Sequence, residues 1–186
     1  LWKGNVGQGH SGMSIHEGYL YTQGSHFMKR DGNDVYEEIV YCLNALTGEE
    51  VWQFRYPAEP MAHAGPRATP TVSGNLVFTL GSNGDLFGFN AKTGGILWKK
   101  HLVSEGLSRK WKWGFSGSPV VDGERLILNA GSAGLALDKS TGDVIWKSAN
   151  QNCGLGTPVL TEIRGERIAL INTEYTLYAV NCADGN

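Results

Sequence analysis

Four copies of one short pattern govern this chain. Asn44-Ala45-Leu46-Thr47-Gly48 is followed four residues after its glycine by Trp52, Asn90-Ala91-Lys92-Thr93-Gly94 by Trp98, and Asp138-Lys139-Ser140-Thr141-Gly142 by Trp146. Asn181-Cys182-Ala183-Asp184-Gly185 closes the series. The four glycines stand 46, 48 and 43 residues apart. A self-similar period in the forties means repeated supersecondary units, each of which needs its neighbours to bury its apolar face. Units of this length that carry turn residues at short, regular intervals point to the four-stranded blades of a β-propeller.

Residues 66–101 show the unit most clearly. An extended run at residues 68–72 leads into the turn Ser73-Gly74-Asn75, then the β-rich run 76–80. A second turn at 81–85, a strand over 86–90, the Thr93-Gly94 turn and a strand over 96–99 complete an antiparallel meander. The same order recurs, so the chain reads as a single segment with blades at about 9–54, 66–101, 114–148 and 153–186. The fold class expected is all-β, a β-propeller of four-stranded antiparallel blades with about four blades present. Four such blades form a partial ring, and the family resemblance drawn below implies about eight for closure.

The repeated residues have physical roles that need no ligand. The Asn or Asp four positions before each turn glycine can accept hydrogen bonds from N–H groups of the turn. Gly48, Gly94, Gly142 and Gly185 supply positive φ. Trp52, Trp98 and Trp146 are large rings suited to the seam between adjacent sheets, each with an indole N–H free to find a carbonyl. Thr69-Pro70, Ser118-Pro119 and Thr157-Pro158 stand at strand starts, where proline disrupts little of the ladder.

Composition narrows the function. The 26 glycines and 6 tryptophans suit short strands and tight turns. A formal net charge of −2 gives no broad basic field for nucleic acid. No run approaches the roughly 20 apolar residues of a membrane helix, and no signal peptide is present in the chain. Leu1-Trp2-Lys3 reads as the end of a preceding repeat, with the natural N-terminus expected upstream. The three cysteines Cys42, Cys153 and Cys182 cannot all pair within one chain and read as small semi-buried side chains. The five histidines form no close ligand pair, so no metal site is expected. Neither a nucleophile elbow nor a phosphate loop is found, and no catalytic residue is assigned.

The unit x-Thr-Gly-x-x-x-Trp, preceded by an apolar strand that ends in Asn or Asp, resembles the PQQ-like β-propeller repeat. Pro66-Arg67-Ala68-Thr69-Pro70-Thr71-Val72 and Lys112-Trp113-Gly114-Phe115-Ser116-Gly117-Ser118-Pro119-Val120 are similar to segments of mostly uncharacterised planctomycete-type members. That family includes quinoprotein alcohol dehydrogenases and the propeller lipoprotein of the outer-membrane assembly machinery. The resemblance implies a bacterial periplasmic or cell-envelope location. It also implies either of two roles, a binding or assembly scaffold or part of a PQQ-dependent dehydrogenase. A third is a sensor propeller of a larger signalling protein. The dehydrogenase reading implies PQQ with calcium, a catalytic Asp, a stacking Trp and often a disulfide of adjacent cysteines. The chain has no adjacent cysteine pair, no segment matches the Asp base or a Glu/Asn calcium pair, and the sequence requires no cofactor. The expected partner is a protein or the remaining blades of the same propeller.

Strand order assigns the loops to faces. With strands A to D counted outward from the axis, A–B and C–D turns share one face, and B–C and D–A connections share the other. The long non-repeating segments 23–38, 56–67 and 103–115 all fall on the second face, which is therefore the expected binding face. His63, Arg67, Lys112 and Trp113, with Trp111 beside them, form a cationic and aromatic group there that suits an anionic or planar ligand. The same residues equally suit packing, with Trp113 and Phe115 on the next blade and Arg67 paired with a carboxylate. The charged run Lys29-Arg30-Asp31, with Asp34, Glu37 and Glu38, reads as a solvated hairpin tip.

Overall fold

In the computed structural model, which describes residues 1–61 and 63–186, the chain folds into four consecutive antiparallel sheets, three of four strands and one of three. Blade 1 contains β1 (Met13–His16), β2 (Tyr19–Arg30), β3 (Asn33–Asn44) and β4 (Glu50–Pro57). Blade 2 contains β5 (Thr71–Ser73), β6 (Leu76–Leu80), β7 (Asp85–Asn90) and β8 (Ile96–His101). Blade 3 contains β9 (Val120–Asp122), β10 (Arg125–Leu128), β11 (Leu135–Asp138) and β12 (Val144–Lys147). Blade 4 contains β13 (Val159–Ile163), β14 (Glu166–Asn172) and β15 (Leu177–Asn181). Each sheet keeps sequence order. The first strands β1, β5, β9 and β13 are neighbours from blade to blade, which puts the propeller axis beside them.

One excursion is more regular than its sequence suggests. Residues 23–38 extend β2 and β3 into a twelve-pair ladder from Tyr19↔Asn44 to Arg30↔Asn33. The two-residue connection Asp31-Gly32 has φ of 53° and 80°. Positive φ at both positions is the turn whose twist matches paired strands, and Asp-Gly is a strong signal for it.

The repeat motif builds the seams. Asn44, Asn90 and Asp138 each accept from two turn N–H groups through Oδ1, and Asn181 accepts from Ala183 N–H. Each tryptophan then crosses to the following blade. Trp52 donates Nε1–H to the Ala91 carbonyl, Trp98 to that of Lys139 and Trp146 to that of Cys182, all at 2.9 Å. Trp2 makes the same bond to Ala45 at 3.1 Å. In all four cases the ring lies against the turn glycine of the receiving blade.

Between these bonds lie three apolar layers. Tyr21, Val40, Cys42 and Trp52 meet Val77, Phe87 and Phe89 between blades 1 and 2. Phe78, Leu80 and Trp98 meet Leu126, Leu128, Leu135 and Leu137 between blades 2 and 3. Ile127, Ala136 and Trp146 meet Ala169, Ile171, Val180 and Cys182 between blades 3 and 4. The three cysteines are unpaired and buried within these layers.

At the axis, backbone N–H groups bond the hydroxyl of the equivalent residue one blade on. Gly12 donates to Thr69 Oγ1, Thr69 to Ser118 Oγ and Ser118 to Thr157 Oγ1, at 3.2, 2.9 and 2.9 Å. The Ser/Thr-Pro pairs thus precede β5, β9 and β13 and tie the blades at their inner rim.

Candidate functional site

The segments joining the blades bring the four expected ligand-binding residues together. Arg67, four residues before β5, donates Nη1–H to the Trp113 carbonyl at 2.6 Å and Nη2–H to the His63 carbonyl at 3.1 Å. Its partners are therefore backbone carbonyls and not the carboxylate considered from sequence. The clamp joins the segment after blade 1 to the segment after blade 2. The His63 ring stacks on the Trp113 indole with centroids 5.4 Å apart. Lys112 Nζ lies 5.1 Å from the Trp113 ring centroid and 5.7 Å from that of Trp111. Lys112 and His63 are exposed, and both indoles are half-buried. Phe115 differs from its neighbours. It is buried among Leu102, Leu107 and Leu126 and serves packing.

A cavity of about 320 Å³ opens beside this group. Trp111 and Trp113 line it together with Cys153, Gly154, Asn172, Thr173 and Glu174. The Lys112 ammonium stands over the same two indoles, and Glu174 brings an acidic side chain to the lining. A second cavity, about 430 Å³, lies between the outer parts of blades 1 and 2, lined by Glu59, Asn83, Asp85, His101 and Lys110. Lys110 bonds Glu59 at 2.6 Å and holds its carboxyl below the usual range. Burial pushes the Asp85 carboxyl up, and the nearby His101 opposes that. Among the described residues, no group of three or more His, Cys, Asp or Glu is placed to hold a metal ion.

Behind the second cavity is a group the sequence reading assigned wrongly. Glu38 is not part of a solvated tip; it is 0% exposed. Its carboxylate accepts from Tyr56 Oη–H at 2.7 Å, from Ser82 N–H at 3.2 Å, and from the Ser82 hydroxyl. Burial raises the Glu38 carboxyl, the Ser82 and Tyr56 bonds oppose that rise, and the Asp85 charge adds to it. Burial, followed by the Glu38 charge, drives the Tyr56 phenol well up. Gly81 makes room for this group, because a Cβ there would lie 2.5 Å from both Glu38 Oε2 and Tyr56 Oη. The signal was present in the strand period. Glu38, Val40 and Cys42 alternate onto one face of β3, the face that meets blade 2. Lys29, Arg30, Asp31 and Asp34 are exposed as expected.

Comparison with known proteins now places the architecture. The family model described as outer membrane protein assembly factor BamB matches residues 36–186. The chain belongs to this family. Its PQQ-like repeats are shared by curated relatives with different names. The quinoprotein alcohol dehydrogenase PedH of Pseudomonas putida is 30% identical over 152 residues, covering 77% of this chain and 23% of that protein. BamB of Yersinia pestis is 25% identical over 151 residues, 79% of this chain and 35% of that protein. Among solved structures, the quinohemoprotein alcohol dehydrogenase ADHIIG of Pseudomonas putida HK5 superposes with a TM-score of 0.72 at 16% identity. That match covers all of this chain and 34% of the other. The chain thus spans about a third or less of the length of these PQQ-like propellers.

Proposed function

We propose that this chain is an arc of a non-catalytic propeller scaffold of the bacterial envelope, which binds a protein partner through the loop face around Arg67, Trp111, Lys112 and Trp113. The observation that carries this reading is the clamp of Arg67 on the His63 and Trp113 carbonyls. It holds two loops of adjacent blades as one fixed surface and leaves indole faces and the Lys112 ammonium presented to solvent. Rigid aromatic and cationic residues on scaffolded loops are the usual anchors of protein interfaces. The BamB relative supports an assembly role, and its envelope setting is brought to this chain by that likeness.

The PedH relative supports the second reading, part of a quinoprotein dehydrogenase. The residues of this arc do not fit the cofactor pair that reading implies. The groove beside the axis is lined by Ser14, His16, Thr71, Ser118, Val120 and their neighbours, with no carboxylate. Calcium takes six to eight oxygen ligands, largely from carboxylates. Cys42, Cys153 and Cys182 sit in three different seams and form no adjacent pair.

One paired experiment separates the readings. Binding of solubilised envelope proteins is compared between the chain and Lys112→Glu with Trp113→Ala; the scaffold reading expects retention of a defined protein that the double variant loses. Equal retention by both forms sinks the loop-face assignment. A saturable absorbance change and a raised Tm on adding PQQ with calcium, accompanied by dye-linked alcohol oxidation, would replace the scaffold reading with the dehydrogenase one.

A further inference from the structure

The cavity of about 430 Å³ between blades 1 and 2 has the size of a small-molecule site. Three segments form it: the chain just after β4, the turn that leads into β7, and the end of β8 with the run that follows. Both sheets around it have all four strands. None of its lining residues lines the cavity beside Trp111 and Trp113.

Strand period brings one carboxylate into this cavity. Asp85, Phe87 and Phe89 alternate onto the face of β7 that meets blade 1. Phe87 and Phe89 pack on Phe54, and Phe87 on Tyr56, so Asp85 stands at the end of an aromatic layer. Pro57, Ala58 and Val103 supply further apolar wall.

The cations nearby are already engaged. Lys110 Nζ donates to Glu59 Oε2 at 2.6 Å and to Asn83 Oδ1 at 3.2 Å. Asn83 is 5% exposed, and its Nδ2–H donates to the Glu59 carbonyl, which fixes this anchor. Lys100 pairs with Glu105. His101 is the cross-strand partner of Asp85, but its Nδ1 accepts from Ser104 N–H. Lys99, two residues back on the same face of β8, is exposed. Among the described residues, the Asp85 carboxylate accepts no hydrogen bond from another side chain and forms no ion pair. Burial raises its carboxyl, the direction expected of a half-buried carboxylate short of donors.

We propose that this cavity binds a primary alkylammonium group, with the ammonium on Asp85 and its methylene chain against Pro57, Ala58 and Val103. An ammonium brings three donors to a carboxylate that has none, and a short methylene chain covers the apolar wall. An anion finds no free cation here, because Glu59 and Asn83 hold Lys110. The site does not depend on the Arg67 loop face, so either proposal can fail without the other.

Isothermal titration of the chain tests it. The group can arrive on a free amine or on a lysine side chain, so cadaverine and Nα-acetyl-lysine N-methylamide are the two probes. Binding of either supports the site, and the tighter of the two identifies the source. Pentanol and pentanoate, the uncharged and anionic counterparts, should show no saturable heat. Asp85→Asn keeps the shape and removes the charge. It should weaken amine binding at least ~10-fold, the order of one charge-assisted hydrogen bond, with no loss in urea midpoint. Lys110→Met frees the Glu59 carboxylate and should strengthen amine binding ~3-fold, a direction that damage to the fold does not produce. The proposal is overturned if neither amine binds, if pentanoate binds as tightly as they do, or if Asp85→Asn retains the parent affinity.

Discussion

The indole of Trp98 lies against Gly142 of the next blade, close enough that a Cβ on that glycine would stand 2.8 Å from two of its ring carbons. The glycine also has φ of 76°. Two separate requirements, positive φ and a bare Cα under an aromatic ring, therefore meet at one turn. Gly142→Ala is expected to cost about 3 kcal/mol, the left-handed backbone contributing ~1 kcal/mol and displacement of the indole the rest. Gly123 separates the two terms. It has φ of 58° with nothing within 4 Å of an added Cβ, so Gly123→Ala should cost only the backbone part, ~1 kcal/mol. Urea denaturation of the two variants checks this; equal losses would show that the ring contact contributes nothing.

The Arg67 clamp makes a prediction of a different kind. Its two charge-assisted bonds to the His63 and Trp113 carbonyls tie two loops that are also joined by the His63–Trp113 stack and the Lys110–Glu59 pair. Arg67→Met keeps most of the side-chain bulk and removes both bonds. Global stability should fall by about 2 kcal/mol. Limited proteolysis within residues 103–115 should accelerate more than cleavage elsewhere, because local opening of the loop no longer breaks the clamp. Uniform acceleration across the chain would show that Arg67 supports the whole fold and not this surface.

How far the sequence revealed these features depends on whether a residue acts within its own repeat or across to another. Asn90 bonds the turn that follows it, Gly94 supplies its own φ, and the spacing to Trp98 is local, so the blades and seams could be read from letters alone. Asp31-Gly32 was equally local, and the charged run around it was read as a hairpin tip. Arg67 was read as pairing with a carboxylate, but its partners are backbone carbonyls, one four residues before it and one in a loop 46 residues away. No side-chain pattern announces a carbonyl acceptor. Glu38 was hidden by composition. It stands beside Glu37 in a charged stretch, and only its alternation with Val40 and Cys42 turns it inward, to donors contributed by Tyr56 and Ser82.

The cysteines offer a direct measure of seam integrity. Burial pushes the Cys42 thiol up to about 11, and burial likewise raises Cys153 and Cys182. The thiolate is the reactive form, so both the ionised fraction and access are low in the folded chain. None of the three should react with an aromatic disulfide reagent at pH 8 under native conditions, and all three should react in denaturant. Because they lie in different seams, Cys42 between blades 1 and 2, Cys153 between 2 and 3 and Cys182 between 3 and 4, labelling followed by peptide mapping reports each seam separately. Simultaneous labelling indicates one cooperative unit. Stepwise labelling indicates blades that open in turn.

Glu38 gives the fold a pH dependence opposite to that of an ordinary surface carboxylate. Its folded-state carboxyl is raised above the unfolded value, chiefly by burial. The folded chain therefore holds this proton to higher pH than the unfolded chain does, and stability from this group falls as pH rises through the interval between the two values. Above that interval the ionised carboxylate is retained by Tyr56 and Ser82, and its contribution no longer changes with pH. Glu38→Gln abolishes the titration, so the difference in unfolding free energy between variant and parent should move in the variant's favour as pH rises from 4 toward 8. Glu38→Ala is different. It leaves the Tyr56 and Ser82 donors buried without an acceptor and should cost about 3 kcal/mol near pH 4, a cost that shrinks as pH rises because the parent loses the Glu38 contribution over that interval. Parallel pH–stability curves for the parent and Glu38→Gln would show that Glu38 does not change its charge differently in the folded and unfolded chain, and would remove the buried carboxylate as the source of the slope.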